Sequence, residues 1–243
     1  MKPIVAVPAL GLLLVRAYGR RSLTTGGLVA AALTGIIHAL YPSGLAFTLL
    51  GVFFLLGTQA TRVKHDVKAE LTLQPRTATQ VLANSAAASI LCLVHIWRYG
   101  IDGSATTTAY GQDRLADALL VGIVSNYVSV TADTLSSELG ILSAAAPRLI
   151  TDPLRTVPRG TNGGVTLLGV WYGYVGSLLA SVIDRRTGKI VEAAGGAKEV
   201  ELKQEHHPSR QINTGRDILD NNQVNFLMAS TMTIWGMIVA ASL

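Results

Sequence analysis

Residues 26–61 read GGLVAAALTGIIHALYPSGLAFTLLGVFFLLGTQAT, and none of these 36 positions holds Asp, Glu, Lys or Arg. A helix that crosses a bilayer needs about 20 mostly apolar residues. A run of this length therefore predicts two spans. Tyr41-Pro42-Ser43-Gly44 lies near its middle, and its Pro and Gly favour a turn. The run reads as a helical hairpin.

The same pattern continues outward on both sides. Residues 3–15, 81–97, 160–183 and 221–243 are uncharged, and 115–132 is broken only by Asp117. The candidate helices fall at about 3–18, 24–41, 44–61, 80–98, 115–132, 163–183 and 222–243. The fifth contains Ser125, Asn126, Ser129 and Thr131 and is the least suited to face lipid. The expected fold class is all-α: a polytopic helical integral membrane protein of about six to seven transmembrane helices. These form a single transmembrane domain over residues 1–243, with a small polar insert before the last helix.

Composition points the same way. Of 243 residues only 14% are charged and 49% are hydrophobic, and the mean hydropathy is +0.41. A soluble domain of this size needs about 25% charge to coat its surface. Disorder, collagen-like repeats, a disulfide scaffold and most soluble enzymes are excluded. The single Cys92 forms no internal disulfide and reads as a small buried hydrophobe. The first apolar run lacks a clear cleavage site and is followed by Arg16, Arg20 and Arg21, so it reads as an uncleaved helix.

The net charge of +5 is topological. Arg16, Arg20 and Arg21 lie between helices one and two. Arg62, Lys64, Lys68 and Arg76 lie between three and four, and Arg148, Arg155 and Arg159 between five and six. The second connection has no basic residue and the fourth has Arg98 and Arg114. This alternation is the positive-inside pattern. No aromatic residues interleave with the basic ones, so a nucleic acid partner is not expected. The expected surroundings are a lipid bilayer crossed several times, in an endomembrane such as the endoplasmic reticulum.

One segment breaks the pattern. Residues 184–220 hold seven Lys or Arg and seven Asp or Glu. They read as a polar insert, with residues 187–192 and 199–203 placed to form a β-hairpin. By parity this insert faces away from the cytosol, whereas its basic residues favour the cytosolic side. Either one apolar run is not a span or a span is missing from the chain.

Ionisable groups at membrane depth are functional candidates. Thr131-Ala132-Asp133-Thr134-Leu135-Ser136-Ser137-Glu138 offers two carboxylates and several hydroxyls, a donor set that suits Mg²⁺. On an unbroken helix Asp133 and Glu138 lie about 140° apart. The alternative is a helix end with Asp133 as its cap. Arg148 and Arg159, with Gly160, Thr161, Asn162, Gly163 and Gly164, form a second candidate. Their arginines and flexible glycines suit phosphate oxygens before a helix N-terminus, and an ordinary interfacial loop is the alternative. Asp220, Asn221, Asn222 and Asn225 open the last helix. Asp220 or Asn221 suits the N-cap, and the two further amides need polar partners if buried. Asn84 is a further amide within an apolar helix. His38 and His95 read as satisfied core residues. Lys64, His65, Asp66 and Lys68 read as solvated, and His206 and His207 as a poor metal signal.

Five ordered motifs carry a resemblance. They are Arg21-Ser22-Leu23-Thr24 with Gly26-Gly27; Ala132-Asp133-Thr134 with Ser137-Glu138-Leu139-Gly140; Pro147-Arg148-Leu149-Ile150-Thr151; Val157-Pro158 with Gly160-Thr161-Asn162-Gly163-Gly164-Val165; and Leu219-Asp220-Asn221-Asn222 with Val224-Asn225. Together they resemble the transmembrane protein nineteen family, which includes the plant phytyl-phosphate kinase. The resemblance implies phosphoryl transfer from a nucleoside triphosphate, such as CTP, to an isoprenoid-type lipid phosphate. It implies Asp133, Glu138 and Asp220 as catalytic Mg²⁺ ligands or positioning groups. It implies Arg148, Arg159 and residues 160–164 on phosphates, with Asn84, Asn221, Asn222 and Asn225 as polar support.

The chain departs from that family at one place. Members have further membrane sequence before the polar insert, including an acidic helix resembling D-S-x-L-G-A-T-x-Q. Here Ser177-Leu178-Leu179-Ala180 runs almost directly into Asp184-Arg185-Arg186. On the order of 50 residues are absent near 180–181, room for one to three helices. The alternatives to an enzyme are a non-catalytic transporter or lipid-binding protein, or an inactive chain lacking one acidic helix.

Overall fold

The computed structural model describes residues 3–63, 75–102, 113–140, 142–149, 152–157, 164–167, 169, 191–193, 210–212 and 219–242. Arg159, Gly160, Thr161, Asn162 and Gly163 lie outside the described residues. So do Lys64, His65, Asp66, Lys68, His206, His207, most of the expected sixth helix and the 180–181 junction.

Six helices stand among the described residues: α1 (Pro3–Gly19), α2 (Thr25–Leu40), α3 (Leu45–Arg62), α4 (Ala78–Tyr99), α5 (Arg114–Gly140) and α6 (Asn221–Ser242). The last four are long and apolar enough to cross a membrane, and α1 and α2 are apolar but shorter. Their starts are written in the sequence. Thr24 caps α2 by accepting the Gly27 N–H at 3.0 Å. Thr77 and Gln80 form a capping box on α4. Asp113 accepts the N–H groups of Leu115 and Ala116 on α5, and Asp220 pairs with Gln223 on α6.

Two expectations are corrected here. The fifth helix, expected to end at 132, continues to Gly140. No Pro or Gly interrupts residues 133–139, and Gly140 supplies the usual stop. The chain is also not wholly helical. Among the described residues there are five short strands: β1 (Arg148–Leu149), β2 (Asp152–Thr156), β3 (Gly164–Val165), β4 (Val191–Ala193) and β5 (Arg210–Ile212). Residues 164–165, expected to open a helix, are strand instead. Pro153 and Pro158 hold the residues before them extended, which favours β2. Within the polar insert β4 pairs antiparallel with β5, and the expected strand at 199–203 lies outside the described residues.

The chain divides into two compact units. The first comprises residues 1–55, 75–130 and 225–243. Here α2 packs most extensively on α4, and α1 on α2. Small residues set the contact of α5 with α6. A Cβ on Gly236 would collide with the Ser125 hydroxyl, and one on Gly122 would stand 2.8 Å from Met237 Cγ. The unit's polarity is that of a membrane protein. Trp97 is 86% exposed and Ile4 81%, while Asn126, His38 and His95 are fully buried. Water would not tolerate that arrangement and hydrocarbon does. Over the most apolar stretch of each candidate span, α5 is the most enclosed of the four, at 56% buried. Asn126, Ser129 and Ser136 are accordingly buried against protein.

The second unit comprises residues 56–74 and 131–224. Its described core is the end of α5 beside a three-stranded sheet ordered β2-β1-β3. Both neighbours of β1 run antiparallel to it.

Candidate functional site

The acid-bearing end of α5 is an unbroken helix. Asp133 is thus a helix-interior residue, and its alternative as a cap is overturned. Asp133 and Glu138 point about 140° apart and serve different surroundings. The Glu138 carboxylate accepts from the Thr61 hydroxyl at 3.1 Å. Thr61 also stands 2.9 Å from the Gly57 carbonyl, so its one proton serves one acceptor at a time. The Asp133 carboxylate makes no hydrogen bond with a described residue, and Asp133 is half-buried. The Ser137 hydroxyl turns back onto the Asp133 and Thr134 carbonyls at 3.0 and 3.1 Å.

The segment leaving the glycine-rich loop packs against this helix end. The Thr166 hydroxyl donates to the Gly140 carbonyl at 3.3 Å and accepts from the Gly169 N–H at 3.0 Å. A Cβ on Gly140 would stand 3.1 Å from Gly169 Cα, and one on Gly169 would stand 3.3 Å from the Ser136 carbonyl. Both distances are tighter than an ordinary Cβ contact, so a side chain at either position would push its neighbour by a few tenths of an ångström.

β pairing joins the two halves of the arginine and glycine motif. Arg148 lies opposite Val165, and Leu149 opposite Gly164. Arg148 is exposed, with one guanidinium nitrogen donating to the Pro153 carbonyl at 2.9 Å. The sequence reading named Asp133, Glu138, Arg148 and Gly164, and all four lie in the second unit. It missed Thr61 and Thr166. Thr166 had a local signal, a hydroxyl three residues before Gly169. Thr61 had none, because its partner is 77 positions away.

The remaining candidates serve other roles in the described geometry. Asp220 accepts the Gln223 N–H at 2.8 Å while Gln223 accepts from the Asp220 N–H, a complete capping box. Asn222 and Asn225 are half-buried one turn apart on α6, and Asn221 is its first residue. Asn84 belongs to the first unit. It donates to the Gln80 carbonyl at 2.9 Å, and its own carbonyl accepts from Asn126 at 3.0 Å. Thr233 reaches the Asn126 amide oxygen at 3.4 Å. His38 is satisfied, with Nδ1 against the Thr34 carbonyl at 2.8 Å and Nε2 against the Tyr127 hydroxyl at 2.6 Å. His95 has no hydrogen-bond partner at either ring nitrogen among the described residues. Its ring lies between Tyr41 and Tyr99, with centroids 4.7 and 4.8 Å away.

Among the described residues no group of three His, Cys, Asp or Glu stands close enough to hold a metal. Mg²⁺ does not require one. It takes one or two carboxylates, with water and substrate phosphates filling the other positions. Asp133, with its carboxylate free of described partners, fits that requirement.

The profile of a family described as integral membrane protein DUF92 matches residues 8–184, which is most of the chain. The chain belongs to the DUF92 family. Protein PGR of Arabidopsis thaliana is 32% identical over 268 aligned positions, covering 92% of this chain and 91% of the relative. Protein VTE6, chloroplastic, of the same plant is 32% identical over 73% of this chain and 53% of its own length. Uncharacterized membrane protein MJ0933 of Methanocaldococcus jannaschii is 31% identical over 65% of this chain and 60% of its own. No solved structure matches the chain significantly. The DUF92 match contains Asp133, Glu138, Arg148 and the glycine-rich loop, and it ends at residue 184, where the insert begins, short of Asp220. This chain is a multi-pass integral membrane protein.

Proposed function

We propose that this DUF92 member transfers a phosphoryl group from a nucleoside triphosphate, such as CTP, to an isoprenoid-type lipid monophosphate. The observation that carries the reading is the packing of the α5 acid end on the exit of the glycine-rich loop. The Thr166–Gly140 hydrogen bond and the Gly140–Gly169 contact bring the two together. Carboxylates and phosphate-binding backbone are the two parts such a reaction needs side by side. The reaction asks the protein for positioning and charge neutralisation, with little covalent work.

In this reading a lipid phosphate oxygen attacks the terminal phosphorus, and the bond to the nucleoside diphosphate breaks. The products are a lipid diphosphate and the nucleoside diphosphate. Arg148, Arg159 and residues 160–164 hold phosphate oxygens. Asp133 and Glu138 orient the phosphates, and Thr61 fixes the Glu138 carboxylate. Asp220 contributes at most the carboxylate oxygen its cap leaves over, with Asn221 and Asn222 as polar support, whereas Asn84 and Asn225 belong to the first unit. A bound Mg²⁺ would neutralise charge building on the phosphates. The hydrocarbon tail suits a protein embedded in an endomembrane.

The test uses the full chain in nanodiscs. Geranylgeranyl monophosphate is offered with Mg²⁺ and radiolabelled CTP or ATP. A labelled lipid diphosphate is the expected product. Folded protein that yields none with either nucleotide overturns the reading.

A second reading, a member that binds lipid without catalysis, has one observation in its favour. The alignment with Protein PGR spans 268 positions, yet 92% of 243 residues fills only about 224 of them, leaving about 44 without a counterpart here. That is room for one or two spans at ~20 residues each. Specific binding of the lipid phosphate with no turnover distinguishes this reading.

A further inference from the structure

The first unit contains a cavity of about 70 Å³ that the phosphoryl-transfer reading does not use. It lies between α1 and α3, which do not pack extensively on each other, since α1 packs mainly on α2. Its walls are hydrocarbon: Leu10 and Leu14 of α1 face Phe47, Leu50 and Phe54 of α3. The same two helices carry exposed Leu12, Val52 and Leu55, so both meet lipid. Gln80 and Asn84, one turn apart on α4, supply the polar end. Gln80 lies in the first turn of that helix, so the polar end is the one nearer the membrane surface. An amphiphile takes the same orientation.

Each amide is fixed through one of its polar atoms and presents the other. The Gln80 Oε1 accepts from the Thr77 N–H at 2.9 Å, and its Nε2 makes no hydrogen bond with a described residue. The Asn84 Nδ2 donates to the Gln80 carbonyl at 2.9 Å, and its Oδ1 makes none with a described residue. What remains is one held donor and one held acceptor on the same helix face. The neighbouring hydroxyls are satisfied. Those of Thr34 and Ser85 lie 3.4 Å apart, and Ser85 donates to the Val81 carbonyl at 2.8 Å. Arg76 borders the cavity as well and has partners of its own. No Asp or Glu is among the described lining residues. A polar group left unpaired beside hydrocarbon is costly, which favours an occupant that both donates and accepts.

We infer that this cavity binds an uncharged single-chain amphiphile with a hydroxyl head, the hydroxyl between Gln80 and Asn84 and the first carbons between α1 and α3. One hydroxyl oxygen can accept from the Gln80 Nε2 and donate to the Asn84 Oδ1. An ionised carboxylate or phosphate only accepts, and would set a second acceptor against the Asn84 oxygen. The volume sets how much of the chain enters. A cavity of ~150 Å³ takes a benzene-sized ligand, so this one takes the head and a few carbons. The rest of the chain lies in the bilayer beside α1 and α3. The inference is independent of phosphoryl transfer and concerns a ligand without the phosphate that reaction requires.

The experiment uses the full chain in phosphatidylcholine nanodiscs and three C16 probes carrying a photoreactive diazirine on the fourth carbon: hexadecanol, its methyl ether and hexadecyl phosphate. Cross-linked peptides are mapped by mass spectrometry. The expected result is labelling of residues 10–14, 47–54 or 80–85 by hexadecanol. The methyl ether accepts but does not donate, and should label those segments about fivefold less, the scale of one neutral hydrogen bond. The phosphate should label them no more than the ether. Gln80→Glu keeps an acceptor for the Thr77 N–H and removes the donor, so it should lower hexadecanol labelling about fivefold. Equal labelling by alcohol and ether, stronger labelling by the phosphate, or no label in those segments overturns the inference. Unchanged hexadecanol labelling of folded Gln80→Glu does the same. The wild-type comparison of probes decides even if that variant fails to fold.

Discussion

Asp133 and Asp220 carry the same side chain in opposite circumstances. Asp220 is held by a reciprocal cap, whereas the Asp133 carboxylate has no described hydrogen-bond partner. The cap was legible from Asp220-Asn221-Asn222-Gln223, because capping is local chemistry. Thr61 was not legible, because its contact with Glu138 depends on how distant helices meet. Replacing Thr61 by Val keeps the shape and removes the hydroxyl. A hydrogen bond to a charged group contributes about 1.5–3 kcal/mol, so lipid phosphate turnover should fall about tenfold or more with the fold retained. Steady-state kinetics with circular dichroism checks this; unchanged kinetics would show the contact to be incidental. Asp113 lies just outside α5. The Ala116 N–H, and next the Tyr99 hydroxyl, hold its carboxyl below the usual aspartate range. A carboxyl lowered on folding stabilises above its unfolded value near 4, and that contribution disappears as pH falls through the lowered folded value. Thermal melts from pH 6 to 2 should show a steeper acid loss for wild type than for Asp113→Asn.

At the scale of elements, helix positions follow from apolar runs and caps, since both are written in consecutive residues. The end of α5 follows from the same rules applied further, as Gly140 is the first breaker after Arg114 apart from Gly122. Gly122 is tolerated because Leu91 and Met237 fill the space beside it. The three-stranded sheet was harder to read. β1 and β3 have two residues each, too few for any period to appear, and only the prolines around β2 marked extended chain. Polar Asn126 inside α5 read as an obstacle to a span. Its partners Asn84 and Thr233 explain it, and neither pairing is visible in sequence. The contact of α5 with α6 rests on Gly122 and Gly236. Gly236→Leu should overfill it and cost about 1–3 kcal/mol, read as a lower melting temperature of the full chain in nanodiscs. An unaltered melt would mean that α6 shifts without cost.

For the molecule as a whole, the membrane class was fixed by charge content and by the 36-residue uncharged run, because a bilayer leaves no other use for them. The catalytic reading was only partly legible. Family motifs supplied the roles proposed for Asp133, Glu138 and Arg148, and the geometry added the contact between Gly140 and Gly169. The positions aligned in Protein PGR but lacking here bear on the same question from the other side. The most direct measurement compares wild type, Asp133→Asn and Asp220→Asn in the lipid phosphate assay with Mg²⁺. Asp133→Asn should lower kcat by about 100-fold or more, the scale on which one electrostatic group at a reacting centre acts. Asp220→Asn, which keeps a capping side chain, should retain most of the activity. Turnover by Asp133→Asn equal to wild type would contradict the account.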